Sequence, residues 1–382
     1  MHNIPMNNYS NHVAIIGAGI SGLTLGCILK SANIPVVIFE KSLTISNQGA
    51  GISISPNGIN VLKHLGIYDE IKNQSANPKL AEHFSNNNII SSFSVDVLTT
   101  SRQTIYQTLL NKYQSIGGDI FFDHELVDIN QQKCELVFSN NQIYRVLHIA
   151  ACDGIKSFCR GKLMPDRPIY SGYSVWRSII NKKQETIKTY LGPKYHVVAY
   201  PINDHQVSIV AAVKTYKEYK ESWKVEGTLD ELREDLSMPD IDILSNLENE
   251  TDLYKWGVFT RPMPNKLYSK NITILGDAAH PIVPFIGQGG CLALEDAYIL
   301  GKLIISMNLD FIKIQKTYQK LRFTRIKKIK LLSERQGHLN HISNKFIILI
   351  RNFFMKHIKF FAMYSIRKIW DYDAEKEVLK IK

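Results

Sequence analysis

The sequence predicts an α/β fold on three observations. Residues 12–40 read as strand, glycine turn, helix and strand, with the spacing Gly17-x-Gly19-x-x-Gly22 and an acid, Glu40, closing the second strand. Residues 272–303 repeat the strand–loop–helix order around Gly276-Asp277 and Gly287-Gln288-Gly289-Gly290. Between them, residues 166–265 alternate apolar and polar positions in short aromatic-rich segments, the period of an antiparallel sheet. The expected architecture is a Rossmann-like cofactor domain of 11–75, 98–165 and 266–312, an inserted antiparallel-sheet domain of 76–97 and 166–265 that walls off a substrate, and C-terminal helices over 313–382.

Each element has a local reason. Val13–Ile16 is short and wholly apolar, as a buried strand requires. Gly17 then makes a tight turn, Gly19 lets the backbone approach a pyrophosphate, and Gly22 lets the following helix, to about Ser31, pack on the strand. Val36–Glu40 is the second strand, and Glu40 is placed to accept hydrogen bonds from an adenosine ribose. This fingerprint fits NAD and FAD alike. Gly49–Gly58 is a glycine-rich strand and turn before a short helix, Ile59–Leu65, and its small residues predict a second close approach of backbone to ligand.

Residues 76–97 leave the cofactor domain, with a strand at Ile89–Val95. Arg102 precedes a helix, Gln103–Ser115; a cation at a helix start opposes the dipole and hints at service to an anion. Asp119–Phe122, Glu125–Ile129, Cys134–Phe138 and His148–Cys152 read as strands, the last ending in the turn Asp153-Gly154. In the inserted domain, Tyr170–Ile180, Thr186–Leu191, His196–Ile202, Gln206–Val213 and Leu253–Phe259 are strands, and Lys214–Asn249 is charged and mostly helical. Arg177 sits mid-strand, a candidate to contact an anionic substrate or cofactor. The tyrosines of this domain are expected as core or surface. After Ile272–Leu275, Pro281 and Pro284 fix a loop's course. Gly287, Gly289 and Gly290 leave N–H groups unobstructed before a helix from Leu292, where the dipole favours negative charge. Helices at Phe311–Leu339, Phe346–Met355 and Lys359–Ile369 close the chain.

Composition narrows the setting. Five cysteines without a CxxC pair predict a reduced, cytoplasmic environment. Met1–Asn11 lacks the apolar core of a signal peptide, and no apolar run approaches the ~20 residues of a membrane span. His280, His338 and His341 are scattered, with no zinc-type ligand set, and neither GxSxG nor a P-loop occurs. The net charge of +11 is uneven: residues 313–382 hold 18 Lys and Arg against five Asp and Glu, and the preceding 312 hold 28 against 30. That C-terminal excess is either a solvated basic face or a contact with an anionic membrane surface or acidic partner. No nucleic-acid module accompanies it.

Gly17-x-Gly19-x-x-Gly22…Glu40, Asp153-Gly154 and Gly276-Asp277-Ala-Ala-His-Pro…Gly287-Gln-Gly-Gly290, in this order, resemble the single-component FAD-dependent aromatic hydroxylases with the para-hydroxybenzoate hydroxylase fold. The subgroup is similar to zeaxanthin epoxidase, FAD-dependent urate hydroxylase and salicylate hydroxylase. Residues 51–58, Tyr170-Ser-Gly-Tyr173…Trp176-Arg177, Gly287–Asp296 and Trp370-Asp-Tyr-Asp carry that similarity. Lys41 stands where many relatives have Arg, and Ser21 where many have Gly.

The resemblance implies FAD as cofactor and NADPH or NADH with O2 as co-substrates. It implies hydroxylation or epoxidation of an electron-rich aromatic or unsaturated small molecule through a flavin C4a-hydroperoxide, by a monomer or homodimer. The cofactor-binding set it implies is Gly17, Gly19, Ser21, Gly22, Glu40, Lys41, Ser53, Arg102, Leu126, Asp153, Asp277, Gly287, Gln288, Gly289, Gly290 and Cys291. Arg177, Pro284 and Phe285 are the expected catalytic positions, the last two bordering the oxygen-activation site. The alternatives are a same-fold flavin reductase acting on a polyprenyl or quinone-type substrate, and a non-catalytic FAD-binding protein.

Overall fold

The computed structural model describes residues 6–43, 50–215, 226–237, 241–247, 252–357 and 366–381. Gly49 and parts of the expected helical stretches 214–249 and 359–369 lie outside the described residues. The elements begin with β1 (Met6–Ile16), α1 (Ile20–Ser31), β2 (Val36–Phe39), β3 (Gly51–Ile54), α2 (Pro56–His64), α3 (Tyr68–Lys72), β4 (Leu80–Ser85), β5 (Asn88–Ser94), β6 (Leu98–Ser101) and α4 (Arg102–Ser115). Next come β7 (Asp119–Phe121), β8 (Leu126–Asn130), β9 (Glu135–Phe138), β10 (Ile143–Ala151), α5 (Phe158–Gly161), β11 (Ile169–Asn181), β12 (Ile187–Gly192), β13 (Tyr195–Pro201) and β14 (Gln206–Lys214). The chain continues through α6 (Leu229–Asp235), β15 (Tyr254–Thr260), β16 (Tyr268–Ser269), β17 (Ile272–Ile274), α7 (Gly289–Ser306), α8 (Phe311–Asn340), α9 (Lys345–His357) and α10 (Ala374–Leu379).

The first sheet runs β16-β17-β10-β1-β2-β7, with β8 and β9 attached beside β10. β7, β2, β1, β10 and β17 are mutually parallel. The apolar runs of β2, β1, β10 and β17 are buried on both faces, as parallel strands covered by helices must be, while β7 at the edge is only partly covered. Parallel strands also deliver their carboxyl ends to one edge. The ladder carries the following residues with it: Gly17 N donates to Phe39 O at 2.7 Å, Cys152 N to Ile16 O at 2.8 Å and Leu275 N to Ala151 O at 3.0 Å.

The second sheet runs β15-β11-β14-β13-β12-β4-β5. It is antiparallel except between β12 and β4, which run parallel, so the expectation of a purely antiparallel sheet is corrected at that one seam. Successive side chains point to opposite faces. Trp176, Val197, Ile209 and Val213 lie under Leu229, Leu232, Leu236 and residues 241–247. Tyr173, Val175, Ala212, Trp256 and Val258 face the other way, against Val283 and Phe285 of the loop before α7.

Some boundaries differ from those expected. β1 starts at Met6, because its polar outer half gains ladder partners in β10 that no apolar run announces. α7 starts at Gly289, before Leu292, and α4 includes Arg102 as its first residue. Within Lys214–Asn249 the described helix is limited to α6 and a 3-10 turn at Asp242–Asn246. α10 was not anticipated; Asp373 caps it, accepting from the Glu375 and Lys376 N–H groups. All five cysteines are free thiols.

Candidate active site

The edge is built from glycines with different reasons to be glycine. Gly17 has φ +100°, and a Cβ there would come within 2.5 Å of Cys152 O. A Cβ on Gly22 would collide with Gly17 O. Nothing lies within 4 Å of the Cβ position of Gly19, so open space sits where α1 begins. α1 has no side-chain cap and no acid in its first turn, so among the described residues no side chain answers its dipole or its first N–H groups. Glu40 steadies the turn, accepting from Ala18 N at 2.8 Å and Ser42 N at 2.9 Å.

A cleft of about 210 Å³ opens here, and Gly17, Gly19, Glu40, Lys41, Leu126 and Asp153 share its wall. His124, Lys156 and Phe158 line it too and were not anticipated. The Asp153 carboxylate accepts from Ser157 Oγ at 2.6 Å and Cys159 N at 3.1 Å, and burial pushes its pKa up. Arg160, fully buried, ties this turn to the next: it donates to Ala279 O at 2.6 Å and pairs with Asp166 at 2.7 Å.

At the end of β17, Gly276 has φ +54°, and a Cβ there would lie 3.1 Å from Ser21 Oγ. Ser21 therefore packs its buried side chain on the Gly276 turn, while Asp277 is exposed at the edge. The loop that follows is clamped by α8, with Ser333 Oγ donating to Val283 O at 2.5 Å. Gln288 precedes α7 but does not cap it. Its amide donates to Ser55 Oγ at 2.8 Å and accepts from Asn57 Nδ2 at 2.9 Å. Cys291 is fully buried with its Sγ 3.4 Å from Ser55 Oγ. The side chains of Gln288 and Cys291 thus face inward, and backbone is what the start of α7 presents outward. Among the described residues nothing lies within 4 Å of the Cβ positions of Gly287 and Gly289, whereas a Cβ added to Gly290 would come within 2.8 Å of the Ile52 side chain. Ser53, on β3, pairs in register with Thr99 of β6.

Beneath this loop lies a buried charge network that was not anticipated. Glu295 and Asp296 have no exposed surface. Arg322 donates to Asp296 at 2.7 Å and reaches Glu295 at 2.8 Å, Arg325 reaches Glu295 at 2.6 Å, and His280 Nε2 bonds Asp296. Asn57 donates to Glu295 at 2.6 Å, Asp296 accepts from Gly276 N at 3.0 Å, and the Arg325 guanidinium lies 3.6 Å from the Tyr372 ring. Burial alone would raise the Asp296 pKa; His280 and Arg322 outweigh it and bring it down to about 2. Buried carboxylates are tolerable only when paired and hydrogen-bonded to this extent. The available signal was two adjacent acids inside the apolar run of α7.

The expected catalytic residues stand elsewhere. Arg177 pairs in register with Val210 and Tyr254, its guanidinium 4.9 Å from the Trp256 ring. Burial lowers its pKa; Tyr200 opposes that shift and nearby Arg102 adds to it, so the fold brings Arg102 and Arg177 within electrostatic reach. Phe285 packs edge-on to Tyr173 at 4.9 Å, with His196 at 5.4 Å and His341 at 5.2 Å. His196 and His341 are hydrogen-bonded at 3.2 Å; burial pushes His196 well below the usual imidazole range and His341 to about 4. They form a neutral wall. Pro284 is exposed at the start of a 3-10 turn. Arg177, Pro284 and Phe285 do not line the cleft at Gly17, so the candidate site has two ends.

FAD fits this edge. Open space fronts Gly19, Gly154, Gly287 and Gly289, and two uncapped helix starts free of acids suit anionic groups. Among the described residues no cluster could hold a metal. A 3-amino-4-hydroxybenzoate 2-monooxygenase of Streptomyces platensis is 25% identical over 359 residues, 88% of this chain and 90% of that protein. A 3-hydroxybenzoate 6-hydroxylase of Klebsiella oxytoca is 25% identical over 361 residues, 86% of this chain and 88% of that protein. The fold is shared with a salicylate hydroxylase substrate complex at TM-score 0.82, 21% identity and 97% of both chains. It is shared also with Klebsiella pneumoniae HpxO complexed with FAD and uric acid, at TM-score 0.76, 20% identity, 97% of this chain and 95% of that one. Residues 10–319 match the family described as FAD binding domain; the chain belongs to that family, among the FAD-dependent aromatic hydroxylases.

Proposed function

We propose that this FAD-dependent monooxygenase hydroxylates a small electron-rich aromatic ring bearing an anionic group, with NADH or NADPH and O2 as co-substrates. One observation carries the reading: two uncapped helix starts meet at one glycine-open edge, beside a wall of Tyr173 and His196 from the second sheet and His341 from the end of α8 that packs on Phe285. Bound FAD supplies hydride acceptance and oxygen activation.

The protein's part is to hold, orient and shield. The start of α1 with Gly17 and Gly19 holds the pyrophosphate, with Glu40, Lys41, Leu126 and Asp153 around the adenosine half. Ser53, Arg102 and Asp277 border the path to the flavin half, with Ser21 and Gly22 packed behind them. The N–H groups of Gly289, Gly290 and Cys291, behind Gly287 and Gln288, face the flavin ring, where preorganised donors favour negative charge. Pro284 and Phe285 border the reacting face, and the neutral histidine wall excludes water from it. Arg177, with Arg102 near it, orients the anionic group. The names of the hydroxybenzoate enzymes and the uric acid complex support such a ring. Residues 11–75, 98–165 and 266–312 serve as the cofactor unit. Residues 76–97 and 166–265 serve as the substrate unit, a division supported by β4 and β5 joining the sheet of β11–β15. The helices of 313–382 buttress both.

The test is NADH and NADPH oxidation by FAD-loaded protein across phenols, hydroxybenzoates, heteroaromatics and isoprenoids, with oxygen uptake and peroxide both recorded. The expected result is oxidation stimulated by an anionic aromatic, oxygen uptake exceeding peroxide release, and a product heavier by one oxygen atom. Bound FAD with no oxygen-linked turnover across the panel would count against the reading and favour a same-fold reductase.

A further inference from the structure

α9 is an amphipathic helix turned inside out. Its 13 residues advance about 100° each, which places Arg351 and Asn352 toward the body of the protein. Arg351 is buried and donates to Leu339 O at 3.3 Å; Asn352 donates to Ser85 Oγ at 2.9 Å, on the edge hairpin of the second sheet. The opposite side carries Phe346, Ile347, Leu349, Ile350, Phe353 and Phe354, each between 40% and 69% exposed. A helix on a globular body normally buries its apolar stripe. Here that stripe covers half the circumference and points outward, a contiguous patch of the kind that marks an interaction surface.

Charge selects the occupant. Residues 341–370 contain six Lys and Arg and no Asp or Glu. Lys345 and Lys356, both exposed, flank the apolar face on one side. A second copy of the chain would bring the same cations to the same place. An anionic lipid surface offers apolar depth and negative headgroups together. The helix is about 20 Å long, shorter than a bilayer's hydrocarbon core of about 30 Å. Among the described residues no helix is long and apolar enough to cross a membrane, so the contact would lie in the plane of the surface.

We propose that α9 docks the protein on anionic membranes, its Phe346–Phe354 face inserted among the lipids and Lys345 and Lys356 on the phosphates. This is independent of the hydroxylation reading. Because α9 is fastened to the β4–β5 edge, docking holds the second sheet against the bilayer.

The test is flotation of the FAD-loaded full chain with phosphatidylcholine vesicles, with and without phosphatidylglycerol. The wild type should float with the anionic vesicles and release at high salt. F346S/F353S and K345Q/K356Q should each weaken binding by roughly tenfold or more, with thermal unfolding unchanged because all four side chains are exposed. Absence of vesicle binding, or binding indifferent to both pairs, would overturn the proposal. A dimer in sedimentation that F346S/F353S abolishes, without vesicle binding, would assign the face to a second copy and overturn it too.

Discussion

The two helix starts at the site are made by opposite means. α1 is set by main chain: glycines, the Glu40 carboxylate on Ala18 N, and the ladder from Phe39. Most of what shapes it lies within Ile16–Glu40, the neighbouring end of β10 and the Gly276 turn on which Ser21 packs. α7 is set by side chains from five places: Ser55 and Asn57, His280, Glu295 and Asp296, Arg322 and Arg325, and Tyr372. A backbone-made site tolerates change wherever no Cβ is forbidden. A site standing on buried charge fails as a unit, because each removed partner strands another.

The largest test of that contrast is Asp296→Asn. It should cost about 3–5 kcal/mol in urea unfolding by leaving Arg322 and His280 under-compensated in the interior, and FAD occupancy should fall with it. A loss under 1 kcal/mol would mean the network is replaceable, and the contrast would not hold.

Acid should next separate the buried imidazoles from the charge network beneath α7. His148, His196 and His341 have folded pKa values below 6.5, so the unfolded chain takes their protons first. Their contribution is complete above pH 6.5 and is lost as pH falls toward 4, at about 1.4 kcal/mol per histidine per pH unit. The Asp296 contribution has the same sign and a lower window, present above 3.8 and lost toward 2. Unfolding free energies at pH 7, 6 and 5 should therefore decline steeply while the charge network still stands. A flat profile over that range would contradict neutral buried imidazoles.

The smallest effects are expected at α1, where two alanines should part company. Gly22→Ala meets the Gly17 carbonyl and should destabilise the apoprotein by about 1–3 kcal/mol. Gly19→Ala meets no atom and, as the residue before α1, should change apoprotein stability by less than about 1 kcal/mol, yet weaken FAD binding roughly tenfold or more. Equal effects on stability and binding at both positions would erase the distinction between packing glycine and ligand-facing glycine.

Legibility followed the same division. Gly17, Gly19, Glu40, Lys41, Leu126 and Asp153 were expected around one cofactor, and one cleft gathers them. Gln288 and Cys291 were expected in the cofactor-binding set, and their side chains point into the core, a direction that follows from α2 packing on α7. Tyr173 and His196 looked like any alternating strand residue. Alternation gives two faces but not which one residues 229–236 and 241–247 cover.

By itself the sequence determined the cofactor-domain strands, the glycine turns at their ends and the family, because those are written in patterns among near neighbours along the chain. Only the tertiary structure decided which two arginines of a Lys-rich helix answer Glu295 and Asp296, and which tyrosine meets Phe285. It alone turned the apolar side of α9 outward. Those choices depend on what lies across a contact, and residues far apart in sequence carry no mark of which partner they will face.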